Sequence, residues 1–443
     1  MNFAETLQYL LSLGHETTAI KLGLRNTELL LESLDNPHQQ FASVQIAGTN
    51  GKGSTAVMLD SICRAAGIST GTFTSPHLVS ITERIKVGGC EISEVDFAIY
   101  ASEVRSAADS LVGSGKLAAL PTFFEHVTAI ALLAFRDARV KLAILETGLG
   151  GRLDATTVAG AITVAITPLA LDHQEYLGET IEEIAAEKAA IIRPGVTAII
   201  ARQPTQALEV ILKRCAEVGV EPRLDQESRH LIEETTDDGH ILVTFETDEA
   251  QYENVRLGLR GRHQIINTSV AIRLAESLRQ QGFEVSKAAI VEGIESAKHP
   301  GRLELHEGQP AWLFDGAHNP AGAQALRGFL IEFVNRPITL VFGAMADKDI
   351  SGLASTLFTL VKRLILTKPN NLRSLEPEVF LSFIPSQVKA ANVFLTQTTN
   401  EAVRLAQQVT PAHGLICVTG SLYLVGEVAD ILKTSASEYP QLS

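Results

Sequence analysis

One short stretch, Val44–Thr55, limits the possible fold more than any other part of the chain. Its apolar first half runs into Gly48-Thr49-Asn50-Gly51-Lys52-Gly53-Ser54, and a helical pattern begins directly afterwards. Glycines adopt backbone angles that other residues avoid, so this turn can wrap around an anion. The free N–H groups at the start of the next helix favour phosphate. The stretch therefore predicts a strand, a phosphate-binding loop and a helix, in that order.

The loop is shorter than the common G-x-x-x-x-G-K-[ST] phosphate loop. We expect Lys52 to place its charge at the outer phosphates and the Ser54 hydroxyl to reach an accompanying Mg²⁺. An ordinary glycine-rich turn is the alternative, since such turns often join a strand to a helix. The lysine, the hydroxyl and the flanking strand and helix favour phosphate binding.

Composition indicates a globular α/β protein. The 443 residues are enough for two or three domains, and 45% of them are hydrophobic. A formal net charge of −14 argues against a broad surface for nucleic acid or anionic membranes. Four widely spaced cysteines argue against structural zinc and favour a reducing compartment. With neither a signal peptide pattern nor a membrane-length apolar run, we predict a cytoplasmic protein.

Short apolar runs alternate with amphipathic segments through most of the chain, which predicts a mainly parallel sheet covered on both faces. Before residue 223 we predict strands at 41–47, 70–73, 141–145, 161–167 and 196–201. Residues 223–260 instead predict a small antiparallel sheet with a hairpin turn at Asp238-Gly239. Helices are predicted to follow at 264–281 and 286–297.

The segment His299-Pro300-Gly301-Arg302 is the predicted linker, because Pro and Gly separate two regions of different pattern. Beyond it a second alternation predicts a smaller Rossmann-like domain. Its predicted strands are 312–314, 338–342, 364–367, 393–395 and 415–419. We therefore predict two domains, residues 1–297 with the phosphate loop and residues 298–443 with the Rossmann-like fold.

Polar residues follow several predicted strands at the carboxyl end, where ligands sit in an open parallel sheet. Ser75, Glu146 and His173 occupy such positions, and with Ser54 they make a plausible magnesium site. Mg²⁺ usually takes only a few protein ligands, together with water and phosphate oxygens. The alternatives are a helix-capping Glu146, a surface His173 and a Ser75 that merely precedes Pro76.

Two further positions carry side chains that could take part in binding or catalysis. Lys188 lies on a predicted helix, where a solvated lysine is the ordinary alternative. The segment Asp315-Gly316-Ala317-His318-Asn319-Pro320 ends the first strand of the second domain. Asp and His at such a turn can bond a ribose hydroxyl or orient a phosphate, and a capped helix start is the alternative.

Segments along both domains, in the right order, resemble the dihydrofolate synthase/folylpolyglutamate synthase family, within the ATP-dependent Mur ligases. The matching segments are Gly48–Ser54, Thr74–Leu78, Leu145–Asp154, Ala170–His173, Glu187–Ala189, Gly301–Leu303, Asp315–Pro320, Ala346–Asp349 and Gly420–Tyr423. The resemblance implies an amide ligase of folate biosynthesis and one-carbon metabolism. It would join L-glutamate to dihydropteroate, and to the glutamate tail of reduced folates, through an acyl phosphate.

The resemblance also implies roles for individual residues. The residues matching ATP contacts are Asn50, Gly51, Lys52, Gly53, Ser54, Asn267, Arg302 and Asp315. Ser75, Glu146 and His173 match magnesium ligands, and Lys188 matches a lysine that the family carries as a carbamate. His318 is expected beside the transferred phosphate, which makes Lys52, Lys188 and His318 the expected catalytic set. ATP, Mg²⁺ and a candidate monovalent cation are the expected co-substrate and cofactors of a monomeric enzyme.

The choice between dihydropteroate and folate as acceptor depends on two segments. In bifunctional members, segments matching Thr122-Phe123-Phe124-Glu125 and Arg152-Leu153-Asp154 line a dihydropteroate pocket, which favours a bifunctional enzyme here. Lys21 argues the other way, because that position is often acidic in bifunctional members. A folylpolyglutamate synthase alone, another Mur-type amino-acid ligase and a regulatory nucleotide switch are the alternatives.

Overall fold

The computed structural model describes residues 1–14, 23–225 and 228–438. It contains an eight-stranded and a three-stranded sheet before residue 257 and a six-stranded sheet after residue 303. This confirms the predicted α/β fold, with its mainly parallel sheet, small antiparallel sheet and second, smaller α/β unit. Each sheet lies wholly on one side of the boundary proposed between residues 297 and 298, which itself stays a prediction.

The elements up to residue 296 follow the predicted alternation closely. In chain order they are α1 (Phe3–Ser12), α2 (Arg25–Ser33), β1 (Ala42–Ala47), α3 (Lys52–Ala65), β2 (Thr70–Phe73), β3 (Ile85–Val87), β4 (Cys90–Glu91), α4 (Glu94–Gly113), α5 (Phe123–Asp137), β5 (Leu142–Glu146), β6 (Thr163–Ile166), α6 (Gln174–Leu177), α7 (Ile181–Ala189), β7 (Thr197–Ile200), α8 (Thr205–Val218), β8 (Arg223–Leu224), β9 (Arg229–Thr235), β10 (Ile241–Glu246), β11 (Gln251–Arg256), α9 (His263–Gln280) and α10 (Lys287–Ser296).

Strand β1 lies at the centre of the large sheet, whose order is β4-β3-β2-β5-β1-β6-β7-β8. It pairs in parallel with β5 on one side and β6 on the other. All but its first residue are buried, because helices cover both faces, and this explains its unbroken apolar pattern. The ends of β5 and β6 therefore flank the loop that follows β1.

Side-chain caps fix where several helices begin. Capping boxes start α1 at Asn2, α5 at Thr122 and α7 at Thr180, each completed by a glutamate three residues later. Within the described residues, no side chain caps α3, which begins after Gly51 at a φ of 87°. The first N–H groups of α3 are therefore not occupied by a side-chain cap and can bind a ligand.

The second α/β unit holds all five strands predicted for it. Its elements are β12 (Glu304–His306), β13 (Ala311–Phe314), α11 (Pro320–Phe333), β14 (Ile338–Phe342), α12 (Ile350–Leu357), β15 (Arg363–Leu366), β16 (Val393–Leu395), α13 (Thr399–Val409), β17 (Leu415–Thr419) and α14 (Leu422–Glu438). The sheet order is β12-β13-β17-β14-β15-β16, and all pairs are parallel except β12 with β13. Strand β12 was not predicted, nor were β3, β4 and β8, because two or three residues carry no readable alternation.

The antiparallel sheet and its hairpin are confirmed. Strands β9 and β10 pair across a turn that contains Asp238 and Gly239, and Gly239 has a φ of 83°. Helix α10 then packs tightly on α3, where a Cβ atom on Gly293 would lie 2.3 Å from the Ile62 Cα.

No helix in the described ranges is long and apolar enough to cross a membrane. Lys21, the residue that weakened the dihydropteroate prediction, lies outside the described residues.

Candidate active site

The loop between β1 and α3 has a backbone that only glycine can adopt at two points. Gly48 and Gly51 have φ values of 154° and 87°. A Cβ atom on Gly48 would lie 1.8 Å from Thr167 Oγ1, and one on Gly51 would lie 2.1 Å from Asn267 Oδ1. The loop is therefore held against the end of β6 and the first turns of α9. This close approach brings the predicted ATP contact Asn267 to the phosphate loop.

The polar side chains of the loop contact residues that the sequence left without a role. Lys52 folds back over the loop, and its Nζ donates to the carbonyl oxygens of Gly48 at 3.2 Å and Thr49 at 3.4 Å. The Ser54 Oγ lies 3.2 Å from Nδ1 of His299 and accepts a hydrogen bond from Gln264 Nε2 at 3.4 Å. His299 and Gln264 lie close to predicted site residues, but neither belongs to a recognisable motif.

Ser75, Glu146 and His173 line one cavity of about 320 Å³ together with the phosphate loop. The Ser75 N–H donates to Glu146 Oε2 at 3.1 Å. Burial raises the pKa of Glu146, although Lys52 and the Ser75 hydrogen bond act in the opposite direction. The structure thus brings the three predicted metal ligands into one cavity.

His173 has an unsatisfied nitrogen that suits a metal or a ligand. Its Nδ1 is buried, and no described residue bonds to it. Burial lowers the pKa of His173 to about 4, so the imidazole is neutral and its free lone pair can coordinate. The described residues hold no preformed group of three His, Cys, Asp or Glu ligands. A divalent ion here would therefore depend on phosphate oxygens and water for further ligands.

Lys188 is not the solvated lysine that was its ordinary alternative. It lies on α7, lines the same cavity and is 4% exposed. Burial, followed by the charge of Lys52, lowers the pKa of Lys188 to about 7. This lowered pKa increases the share of unprotonated amine at neutral pH, and only the unprotonated amine reacts with carbon dioxide.

The second α/β unit closes the cavity with Arg302, Asp315 and His318. The Asp315 carboxylate accepts hydrogen bonds from the Leu303 and Ala317 N–H groups, both at 3.0 Å. Asp315 therefore holds the linker to its own unit. Asn319, not Asp315, caps α11, since its Oδ1 accepts from the Gly322 N–H at 2.8 Å.

One buried carboxylate, Asp172, joins the two units. Lys348 Nζ lies 2.9 Å from its Oδ1, and Asn319 Nδ2 donates to its Oδ2 at 3.0 Å. His318 Nε2 lies 3.6 Å from the same Oδ2. Burial alone would raise the pKa of Asp172, but His318, His173 and Lys348 outweigh it and hold the pKa well below its usual range. The sequence did not predict this contact, because it joins residues 176 positions apart in two different units.

A second cavity, of about 240 Å³, adjoins the first, and Ser75, His173 and His318 line both. The predicted substrate residues on its wall are Thr122, Phe124, Glu125, Leu153 and Asp154. Phe124 forms an aromatic wall, and a Cβ atom on Gly148 would lie 2.5 Å from its ring. The cavity thus combines a flat apolar surface with an opening to the phosphate loop.

Two predicted substrate residues lie elsewhere. Phe123 is buried in the hydrophobic core, and Arg152 is largely exposed and pairs with Glu187 at 2.9 Å. The carboxylates of Glu125 and Asp154 also accept hydrogen bonds from the protein. Glu125 accepts from the Thr122 N–H at 2.7 Å, and Asp154 from the Gly148 N–H at 2.8 Å. Both acids therefore brace the cavity wall.

Comparisons with known proteins agree with this geometry. Residues 46–275 match the Mur ligase middle domain, and residues 301–422 match the glutamate ligase domain of Mur ligases. The chain is 33% identical over 426 residues to the dihydrofolate synthase/folylpolyglutamate synthase of Bacillus subtilis, covering 95% of this chain and 97% of that protein.

Two solved structures are similar over 98% of each chain. One is Escherichia coli FolC in complex with DHPP and ADP, with 32% identity and a TM-score of 0.87. The other is a bifunctional folylpolyglutamate synthase/dihydrofolate synthase with Mn, AMPPNP and L-glutamate bound, with 28% identity and a TM-score of 0.84. The chain belongs to the dihydrofolate synthase/folylpolyglutamate synthase family of Mur ligases.

Proposed function

We propose that this protein is an ATP-dependent ligase that joins L-glutamate to dihydropteroate and to the glutamate tail of reduced folates. The observation that carries the proposal is the junction of two cavities at Ser75 and His318. One cavity holds the phosphate loop, and the other has an aromatic wall suited to a flat acceptor. A carboxylate of the acceptor can meet the γ-phosphate only where the cavities join.

The nucleotide is proposed to lie with its phosphates on Gly51–Ser54 and its outer charge on Lys52. The further residues proposed to contact ATP, or to support those contacts, are Asn50, Asn267, Arg302 and Asp315. Ser75, Glu146 and His173 would hold Mg²⁺, and the buried carboxylate and free imidazole nitrogen fit that ion. The ion would neutralise phosphate charge when bound. The expectation of a monovalent cation stays a prediction.

The chemistry proposed for the junction is formation of an acyl phosphate, followed by attack of the glutamate amine. The γ-phosphoryl group passes to the acceptor carboxylate, and the amine displaces orthophosphate to form the amide. Lys52 and Arg302 stabilise charge on the transferring group, and closure of the second unit keeps water out. His318 lies at the junction, where it can orient the transferred phosphate. Because both units come from one chain, we propose a monomer.

The incoming glutamate is proposed to approach from the second unit. Arg373 lines the acceptor cavity there and carries positive charge that the glutamate carboxylates require. Lys188, buried with a lowered pKa, is proposed to carry the carbamate that the family implies. Mass spectrometry of the intact protein under bicarbonate, with a Lys188→Arg control, tests that modification.

The acceptor question is open between the two enzymatic roles. Thr122, Phe124, Leu153 and Asp154 on the cavity wall favour dihydropteroate, so we propose a bifunctional enzyme. ADP release should be measured with ATP and glutamate plus either dihydropteroate or tetrahydrofolate. Release with both acceptors supports the proposal, and release with tetrahydrofolate alone would restrict it to folylpolyglutamate synthase.

The phosphate loop has its own test. Lys52→Ala should abolish ADP release while leaving the melting temperature near that of the wild type. Lys213→Ala, on the exposed side of α8, is the matched control and should keep full activity. Near-normal turnover of Lys52→Ala would refute the loop assignment. ATP hydrolysis that ignores both glutamate and acceptor would instead indicate a nucleotide switch.

A further inference from the structure

The position directly after Lys52 differs from the common phosphate loop. In the common loop a Ser or Thr follows the lysine and places its hydroxyl on Mg²⁺, whereas this chain has Gly53 there. A Cβ atom on Gly53 would lie 2.9 Å from His299 Cε1, and 3.3 Å from both His299 Nε2 and Glu146 Oε2. The His299 ring and the Glu146 carboxylate therefore occupy the space from which the ordinary hydroxyl projects.

Contacts on the other side of the His299 ring indicate which nitrogen is free. Its Nδ1 lies 3.2 Å from Ser54 Oγ, and the same Oγ accepts a hydrogen bond from Gln264 Nε2 at 3.4 Å. Within the part of the chain that the structure describes, no group bonds to His299 Nε2. Histidines that bind metals use one ring nitrogen for the metal and donate the N–H of the other to a nearby acceptor. Donation from Nδ1 to Ser54 leaves the lone pair of Nε2 free beside Glu146.

The free nitrogen lies where an ion that accompanies ATP is needed. His299 and Glu146 both line the cavity that holds the phosphate loop, and Arg302 lines it further along the linker. The first N–H groups of α3 carry no side-chain cap, so phosphate oxygens can approach them in the same cavity. A neutral imidazole is a common metal ligand, and a carboxylate oxygen suits Mg²⁺ and Mn²⁺. His299 and Glu146 thus offer a pair of donors suited to a divalent ion.

Resting on the proposed function, we propose that His299 is a ligand of the divalent ion that accompanies ATP, in place of the hydroxyl of the common loop. Its Nε2 binds the ion beside Glu146, and phosphate oxygens and water supply the remaining ligands. The Ser54 hydroxyl then holds the ring instead of reaching the ion itself. Because His299 belongs to the linker, this contact also holds the linker against the phosphate loop.

The main test detects the nitrogen ligand directly and does not depend on turnover. Protein labelled with ¹⁵N-histidine is loaded with Mn²⁺ and AMPPNP, and pulsed electron–nuclear double resonance measures the coupling of Mn²⁺ to bound ¹⁵N. His299→Asn keeps an amide that can bond to Ser54 but has no Nε2, so one coupling seen in the wild type should disappear. A coupling from His173 should remain. Identical spectra for His299→Asn and the wild type would overturn the proposal.

Metal affinity gives a second measurement, with a matched control. Calorimetry of Mn²⁺ binding to the AMPPNP complex should show affinity about tenfold weaker in His299→Asn. Mg²⁺ should lose less affinity, because an imidazole nitrogen favours first-row transition ions. His413→Asn makes the same change at an exposed histidine before β17 and should bind both ions as the wild type does. Equal losses in the two variants, or wild-type affinity in His299→Asn, would contradict the proposal.

An exchange of residues tests whether the ring has taken the place of the hydroxyl. Gly53→Ser restores the residue of the common loop but places its Cβ 2.9 Å from His299 Cε1, so alone it should weaken Mn²⁺ binding. His299→Ala removes the ligand and opens the space. The double variant should bind Mn²⁺ more tightly than His299→Ala, because its new hydroxyl has room to reach the ion. Affinity no better than that of His299→Ala would show that the ring does not replace a hydroxyl.

These outcomes are distinct from a failure of the proposed function. If the wild type forms amide with both acceptors while His299→Asn keeps the wild-type spectrum and affinity, the ligase activity stands and His299 is not a ligand. If the wild type forms no amide with either acceptor, the proposed function fails. The measurements with Mn²⁺ and AMPPNP still decide the role of His299 in that case, since they need no acceptor.

Discussion

The contact of Asp172 with the second unit offers the sharpest test of how the two units close. In Asp172→Ala, the Lys348 ammonium would lose its nearest carboxylate and keep only Asp347, at 3.4 Å, although its side chain is only 9% exposed. Asn319 would also lose one acceptor for its Nδ2. Separation of the units would return the Lys348 ammonium to water, so the variant should favour an open arrangement.

The expected magnitude follows from the geometry. At the observed N–O distance of 2.9 Å the Coulomb attraction is about 6 kcal/mol for an effective dielectric constant of about 20. Removing one partner of a buried pair costs about 3–5 kcal/mol. A loss of about 3 kcal/mol from closure would lower kcat/KM roughly 100-fold, because about 1.4 kcal/mol corresponds to a factor of ten. The unfolding of each unit should change little.

Steady-state ADP release gives kcat/KM, and small-angle scattering with ATP bound gives the population of the closed form. Lys348→Met in the Asp172→Ala background removes the stranded cation, so the double variant should close better than Asp172→Ala. Strictly additive free energies for the two changes would show that the pair is not coupled. A kcat/KM within about threefold of the wild type, with unchanged scattering, would refute the reasoning.

Three further predictions concern the same site. Gly51→Ala should weaken ATP binding by calorimetry at least tenfold, because its new Cβ would lie 2.1 Å from Asn267 Oδ1 at a φ of 87°; unchanged affinity would exclude that clash. Glu146→Gln should lose activity, and ordinary Mg²⁺ concentrations should not restore it. Full rescue by Mg²⁺ would show that Glu146 is not a ligand. The urea concentration at the midpoint of unfolding should be lower at pH 5 than at pH 7, because burial lowers the pKa of His173 and His263 to about 4. The unfolded chain binds those protons from about pH 6.5 downward and the folded chain does not, so a flat profile would contradict the burial.

The sequence predicted those parts of the site that local pattern controls. The glycine turn after an apolar run fixed the phosphate loop, and strand ends placed Ser75, Glu146 and His173 on one edge. It could not predict that Phe123 enters the core while Phe124 faces the cavity. Adjacent helix residues point in different directions, and which of them is exposed depends on what the helix packs against.

The contacts between units escaped prediction for a different reason. Asp172 and Lys348 lie in segments that resemble the family, but their pairing depends on how two separate sheets meet. His299 and Gln264, which reach Ser54 from the linker and from α9, also escaped prediction. These contacts join residues between 176 and 245 positions apart, and no periodicity or spacing encodes them.

Asn319 shows how the two units can influence each other through a single side chain. Its Oδ1 caps α11, while its Nδ2 donates to Asp172 and to Asn50 Oδ1 at 3.1 Å. The first turn of α11 therefore cannot move away from the first unit without breaking a contact to the phosphate loop. Because Asn50 belongs to that loop, a nucleotide that positions Asn50 also favours docking of α11. Closure and nucleotide binding are then coupled by hydrogen bonds rather than by a distant conformational change, and the coupling is reciprocal.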